Sequence, residues 1–183
     1  MRPYGRCVSS PLESLPSALE ALTDAVAART GAAAVITAPS GAGKSVLLER
    51  VERRAARAGW LTGRAAPGRD ESYVPYAAIR PLIEPAPAFL DSPTASIAET
   101  AHHLYRHCEA LSRMRPLALF VDNAQWADRG SLRVLAQLAR RTRNLPLLVV
   151  LATRPRETEG VPDVSAIFSA IAGVLGVTGT RAA

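Results

Sequence analysis

Runs of consecutive apolar residues alternate along the chain with segments whose apolar residues recur at helical spacing. The runs predict buried strands at 33–37, 60–63, 117–121 and 146–153. The segments predict helices at 17–29, 44–58, 94–113 and 131–143, with a shorter helical piece at 76–84. Continuous apolar strands that alternate with helices are typical of a parallel α/β sheet covered by helices on both faces.

The same pattern divides the chain into three parts. Residues 1–14 are predicted to form an irregular lead-in, and residues 15–155 a single α/β core. Residues 156–183 are predicted to add a C-terminal helix and a fifth strand at 174–179. With 183 residues, 48% of them hydrophobic, the chain is long enough for one domain with a substantial core.

The chain is basic, with a net charge of +6, which raises the question of an acidic partner such as nucleic acid. Its arginines are scattered and often stand beside glutamates, as in LERVERRAARAG at 48–59. That pattern is typical of a solvated helix face with ion pairs, so we expect no direct DNA binding.

Cysteines and histidines predict neither a disulfide framework nor a metal site. Cys7 and Cys108 are the only cysteines, which fits a reducing cytoplasm. His103 and His107 stand one helical turn apart beside Cys108, but no fourth ligand is nearby in the sequence. The charge-free stretch at 164–180 contains Ser, Thr and Gly, and predicts a helix and a strand rather than a membrane span.

The strongest chemical signal is the loop APSGAGKS at 38–45, between the first strand and the following helix. Gly41 and Gly43 allow backbone conformations that point amides at a phosphate, and the helix beginning there favours an anion. Lys44 is the only lysine among 22 basic residues, and its slim side chain suits a tight loop better than a planar guanidinium. The motif's usual first glycine is replaced by Ala38. The loop predicts a nucleotide phosphate site formed by Ser40, Gly41, Ala42, Gly43, Lys44, Ser45 and Val46.

A second signal is the apolar run LALFV at 117–121, which leads directly into Asp122. The carboxyl ends of parallel strands meet at one edge of a sheet, and the phosphate loop opens from the same edge. We therefore expect Asp122 to hold the water shell of Mg²⁺, while Ser45 offers its hydroxyl to the ion.

Four separate blocks carry a family resemblance. VDNAQWADRGSLRVLAQLARR at 121–141 and LPLLVVLATRP at 145–155 resemble the ATPase domain of the AAA-related STAND proteins, most closely that of the large LuxR-type transcriptional regulators of bacteria. GWLTGRA at 59–65 and VPYAAIRPLIEP at 74–85 resemble further segments of that family. The resemblance covers residues 15–155. It implies a three-layer P-loop NTPase fold, with a parallel sheet of four to five strands in the order 5-1-4-3-2, and ATP and Mg²⁺ as cofactors.

The resemblance also implies residue roles. Lys44 and Ser45 would contact the phosphates and Mg²⁺, Asp122 the metal, and Arg154, after the fourth strand, the γ-phosphate. The family's second acid, which polarises the attacking water, falls at Asn123, whose amide cannot accept a proton. Loss of a general base costs about 10²–10⁴-fold, although phosphoryl transfer depends mostly on positioning and charge neutralisation. With Lys44, Asn123 and Arg154 as candidate catalytic residues, we expect Mg-ATP binding with slow hydrolysis.

Two other functions stay open: a nucleotide-dependent interaction module without turnover, and a degenerate fragment without a working site. The family's helical lid, repeats and C-terminal helix-turn-helix are not visible after Arg154, so a truncated core is expected. Nucleotide is the expected partner and a membrane is not, while homo-oligomers and partner regulatory domains are undecided. A guanine-reading Asn-Lys-x-Asp motif is absent because Lys44 is the only lysine, which favours ATP over GTP.

Overall fold

The computed structural model describes residues 15–29, 31–91, 95–142 and 145–154. In these ranges helices and strands alternate as predicted: α1 Leu15–Ala28, β1 Ala32–Thr37, α2 Lys44–Arg57, β2 Leu61–Ala65, α3 Ile97–Met114, β3 Leu117–Val121, α4 Arg129–Ala139 and β4 Leu147–Thr153. The lead-in at 1–14, the C-terminal helix and the fifth strand at 174–179 lie outside the described residues.

The four strands form one parallel sheet in the order β1-β4-β3-β2. This confirms the parallel α/β sheet and the 1-4-3-2 part of the predicted order. Val35 pairs with Leu151, and Leu119 with Val149, so the three strands β1, β4 and β3 run side by side. Their carboxyl ends therefore lie next to one another, at the edge from which the candidate site loops emerge.

The sheet contributes to two cores because successive residues of a strand face opposite sides. Val35 and Leu119 belong to one buried cluster, which also contains residues of α3 and α4. Ile36 and Phe120 belong to the other, which contains residues of α1 and α2. Helices thus cover both faces of the sheet, which explains why β1, β3 and β4 are apolar at almost every position.

The segment between β2 and α3 differs from its prediction. In place of a helical piece at 76–84, the structure has a short 3-10 turn at Arg80–Leu82. Pro81 lies in the middle of the predicted helix, where it removes a backbone donor and clashes with the preceding turn. The segment passes so close to β2 that a Cβ on Gly63 would lie 1.8 Å from the Leu82 carbonyl oxygen. Only glycine fits at this crossing.

On α2 the two glutamates pair differently from each other. Glu49 pairs with Arg53 one turn later on the same helix, as the sequence predicts. Glu52 instead accepts a hydrogen bond from Arg64 on β2, at 3.2 Å. This second ion pair joins the helix to the sheet close to the candidate site. Within the described ranges, none of the helices has the length and apolar character needed to cross a membrane.

Candidate functional site

The loop between β1 and α2 takes its shape from its backbone. The Ala38 amide donates to the Thr153 carbonyl of β4 at 3.3 Å, and the Ala42 amide donates to the Pro39 carbonyl at 3.3 Å, closing a tight turn. Gly41 and Gly43 have φ angles of 78° and 87°, in the left-handed region. A Cβ on either glycine would meet no atom within 4 Å, so conformation rather than crowding selects glycine at both positions.

Helix α2 begins directly at the end of this loop. Gly43 is its N-cap residue and accepts a hydrogen bond from the Leu47 amide at 2.9 Å. The first turn contains no acidic residue. Because the first amides of a helix lack partners within the helix, this terminus favours an anion.

The Lys44 side chain crosses the loop that precedes it. It is only 8% exposed, and its Nζ donates to the carbonyls of Ala38 at 2.6 Å and Pro39 at 2.7 Å. A buried ammonium group requires such partners. The predicted neighbours Ser45 and Val46 are exposed at the start of α2. The lysine charge is therefore held inside the loop, next to the first turn of the helix.

Asp122 lies where β3 ends, and it is 4% exposed. Its Oδ1 accepts from the Asn123 amide at 2.9 Å, and its Oδ2 accepts from the Arg64 guanidinium at 3.3 Å. Arg64 also pairs with Glu52, so one guanidinium joins two carboxylates. Sequence reasoning missed Arg64, because a contact across 58 positions leaves no pattern in the sequence.

The loop after β3 places Asn123 and Asp128 in distinct roles. Asn123 has φ 48° and ψ 39°, a left-handed conformation in which Asn and Asp are the most common non-glycine residues. Asp128 is the N-cap of α4: its Oδ1 accepts from the amides of Ser131 at 2.8 Å and Tyr76 at 3.1 Å. These bonds commit Asp128 to the structure of its loop.

Arg154 follows β4, which lies between β1 and β3 in the sheet. Its guanidinium carbon is 5.2 Å from the centroid of the Trp126 ring, and that of Arg69 is 5.7 Å from the same centroid. The sequence gives no sign of these two cation–π pairs, because Arg69, Trp126 and Arg154 come from three separate segments of the chain.

Two further side chains with buried polar atoms stand close to the predicted site residues in the chain. Within the described part of the chain, the Thr153 hydroxyl and the Gln125 side-chain amide have no hydrogen-bond partner. Thr153 is the last residue of β4, and Gln125 lies in the short 3-10 turn Ala124–Trp126 after Asn123. Buried polar atoms without partners are costly, so each of them needs an explanation.

The histidine and cysteine segment on α3 takes part in packing. Cys108 is fully buried in the core, and burial raises the pKa of its thiol to about 12. His103 stacks on Phe89, with ring centroids 5.6 Å apart. A thiol with that pKa stays protonated at neutral pH and is a poor metal ligand. The described residues contain no group of three or more His, Cys, Asp or Glu side chains placed to hold a metal ion.

The structure therefore brings three predicted elements to one edge of the sheet. Lys44 and Ser45 begin α2 directly after the β1 loop. Arg154 follows the end of the next strand in the sheet, β4, and Asp122 follows the end of the third, β3. Backbone amides, one ammonium group, one carboxylate and one guanidinium are thus presented side by side. Such a set can bind a polyphosphate together with a divalent cation.

Comparisons with known proteins agree with this fold. The sequence model described as the AAA ATPase domain matches residues 13–150. No curated protein matches the sequence significantly. The solved structure of ORC1 from Aeropyrum pernix in complex with DNA has a TM-score of 0.58 and 20% identity, covering 91% of this chain and 43% of that chain.

Two further solved structures have the same fold. Drosophila ORC bound to DNA has a TM-score of 0.52 and 19% identity, covering 76% of this chain and 37% of that chain. Cdc6p from Pyrobaculum aerophilum has a TM-score of 0.51 and 17% identity, covering 90% and 45% respectively. At these identities the likeness is one of fold alone, and this chain spans less than half the length of each of the three.

Proposed function

Since the chain belongs to the AAA ATPase domain family, we propose that it binds Mg-ATP at the loop between β1 and α2 and hydrolyses it slowly. One observation carries the proposal. The only lysine of the chain is buried within a loop whose two glycines are left-handed, at the N-terminus of α2. This combination has a clear purpose in phosphate binding and no evident one in packing.

The residues at the sheet edge fit Mg-ATP. Asp122 and Ser45 would supply the oxygen ligands that Mg²⁺ prefers, directly or through water. The buried Thr153 hydroxyl, which has no partner among the described residues, is a candidate donor or acceptor for a ligand at this edge. When bound, Mg²⁺ neutralises charge on the outer phosphates.

Each side chain then has a defined task. Lys44, whose Nζ now bonds to two loop carbonyls, would bind the phosphate oxygens, and Arg154 would contact the γ-phosphate. Asp122, now paired with Arg64, would hold the hydrated cation. Asn123 orients the attacking water through its amide but accepts no proton, so turnover is slow while binding is retained.

We also propose a more specific family relationship within the AAA ATPases. The blocks at 121–141 and 145–155 support a STAND-type ATPase core related to the large LuxR-type transcriptional regulators. We propose nucleotide as the partner of this core, without direct DNA contact, in the reducing cytoplasm. The similarity to DNA-bound ORC structures concerns the fold, at 20% identity or less. Asn123 favours one alternative, a nucleotide-dependent interaction module that does not turn over.

The test is calorimetric titration of the protein with Mg-ATP, beside the variant Lys44→Ala. We expect micromolar binding by the wild type and at least about tenfold weaker binding by the variant, since a hydrogen-bonded charge is lost. Arg54→Ala is the matched control, because it removes one positive charge from the exposed side of the same helix. It should bind as the wild type does.

Two results would contradict the proposal. Absence of binding by the wild type would mean that the described core has no working site. Equal binding by Lys44→Ala and wild type would place the nucleotide elsewhere. Phosphate release by the same samples then separates a slow ATPase from a module without turnover.

A further inference from the structure

One indole ring joins three segments at the edge of the sheet. Arg154 follows β4, Arg69 belongs to the short 3-10 turn Arg69–Tyr73 after β2, and Trp126 belongs to the loop after β3. The two guanidinium carbons lie 5.2 Å and 5.7 Å from the ring centroid. Both distances fall within the roughly 6 Å over which cation–π attraction acts, and Trp attracts cations more strongly than Tyr or Phe.

The direction of the Arg154 contact matters. Strand β4 has β1 on one side and β3 on the other, so Arg154 stands between the phosphate loop and the loop after β3. Its contact with Trp126 draws the guanidinium towards the β3 side. A γ-phosphate held by Lys44 would instead attract it from the β1 side.

We propose that Trp126 is a positioning residue for Arg154, holding its guanidinium on the β3 side until a γ-phosphate competes for it. This inference rests on the proposed function, because a γ-phosphate reaches the edge only if ATP binds the loop after β1. ADP has no γ-phosphate, so it leaves the Arg154–Trp126 contact in place. The ring thereby distinguishes the two nucleotides.

A purely structural role predicts something else. If Trp126 only packs within its loop, and the two arginines only shield its ring from solvent, the surroundings of the ring are the same with either nucleotide. Replacing it would then weaken ATP and ADP binding alike, through general disorder of the loop. The two roles therefore predict different ratios of ATP affinity to ADP affinity, and different responses of Trp126 fluorescence emission to the two nucleotides.

Emission can be assigned to Trp126 because the protein has only two tryptophans. The other, Trp60, is 2% exposed within the cluster that includes α2 residues, and Trp60→Phe removes it. In that background we expect a non-hydrolysable Mg-ATP analogue to change Trp126 emission, while Mg-ADP changes it little. The added variant Arg154→Met should abolish the response to the analogue.

Affinities provide an independent readout. Trp126→Leu removes the ring that competes for Arg154, so we expect binding of the analogue to tighten about two- to fivefold, the equivalent of one exposed cation–π contact. ADP affinity should stay the same, and Trp126→Phe, which keeps a weaker ring, should be intermediate. Tyr105→Leu is the matched control, since it removes the ring that lies 5.1 Å from the Arg141 guanidinium carbon. It should leave the ATP-to-ADP ratio unchanged.

Calorimetry on the same samples separates the outcomes. If both nucleotides bind but Trp126 emission responds equally to them, or still responds in Arg154→Met, the positioning role is wrong and the proposed function stands. An equal loss of affinity for both nucleotides in Trp126→Leu and Trp126→Phe leads to the same conclusion. If neither nucleotide binds the Trp60→Phe protein or the wild type, the proposed function and this inference are both overturned.

Discussion

Two loops at one edge of the sheet place charged side chains at the candidate site, but different contacts hold the two loops in shape. The loop after β1 is built from backbone: Gly41 and Gly43 are left-handed, and Lys44 bonds to two carbonyls of its own loop. The loop after β3 is built from side chains, with Asp122 held by Arg64 of the neighbouring strand β2, 58 positions earlier in the chain. A loop shaped by local backbone constraints can be predicted from its own residues. A loop shaped by partners far away in the sequence cannot be predicted in this way, and the charges at its site depend on those partners.

The sharpest way to test this difference is Asn123→Asp. Asp tolerates the left-handed conformation at φ 48° as Asn does, so the carboxylate should replace the amide without backbone change. We expect kcat for phosphate release to rise by about 10²-fold, the lower end of the range for a general base. The lower end applies because positioning and charge neutralisation already provide most of the catalysis.

The control for this substitution is Asn123→Gly, which keeps the left-handed backbone and removes the amide. Its kcat should not rise. If Asn123→Asp binds ATP normally and its kcat also stays at the wild-type level, the loop after β3 is not what limits turnover.

The next largest effect is expected for Arg64→Met. This variant leaves the Asp122 carboxylate, whose side chain is 6% exposed, without its cationic partner. We expect the free energy of unfolding to fall by about 2 kcal/mol, less than for a fully buried pair because Arg64 is partly exposed. Chemical denaturation at neutral pH measures this change.

Arg80→Met provides the comparison, because the pair of Arg80 with Asp91 is more exposed. Its loss should cost at most about 1 kcal/mol. If the two variants lose the same stability, Arg64 does not support the loop after β3 in the way its distances indicate.

The smallest effect is expected for Ala38→Gly, which restores the usual first glycine of the phosphate motif. Ala38 is 1% exposed and lies outside the left-handed region, so its methyl group is accommodated without strain. We expect unfolding to become easier by about 1 kcal/mol, since glycine gains chain entropy on unfolding and buries less surface. ATP affinity measured by calorimetry should be unchanged. A large gain in affinity would show that the first position does constrain the loop.

Much of the fold can be predicted from the sequence, because its strands carry strong local signals. The prediction for 117–121 matches β3 to the residue, since every position is apolar and Asp122 ends the run. The prediction for 60–63 is shifted from β2, because Thr62 and Arg64 interrupt the apolar pattern of Leu61–Ala65. The helical piece predicted at 76–84 is wrong, because its helical spacing does not overcome the effect of Pro81.

The candidate site likewise contains residues that the sequence predicts and residues that it does not. The left-handed glycines and Lys44 can be placed from sequence, because a strand, a glycine loop and a helix follow one another directly. The sequence gives no sign of Arg64 as a partner of Asp122, or of Trp126 as a partner of Arg154, since these contacts form only when separate strands are assembled into the sheet. The functional roles of these residues stay predictions.

The buried Cys108 thiol has a kinetic consequence. The thiolate is the form of cysteine that attacks thiol reagents, and a side chain with no exposure and a pKa raised to about 12 offers neither access nor charge. Modification of Cys108 therefore requires α3 to separate from the sheet, at least locally. In protein carrying Cys7→Ser, the labelling rate would report how often that opening occurs, and the effect of bound nucleotide on the rate would measure how far ligand binding stabilises the opposite face of the sheet.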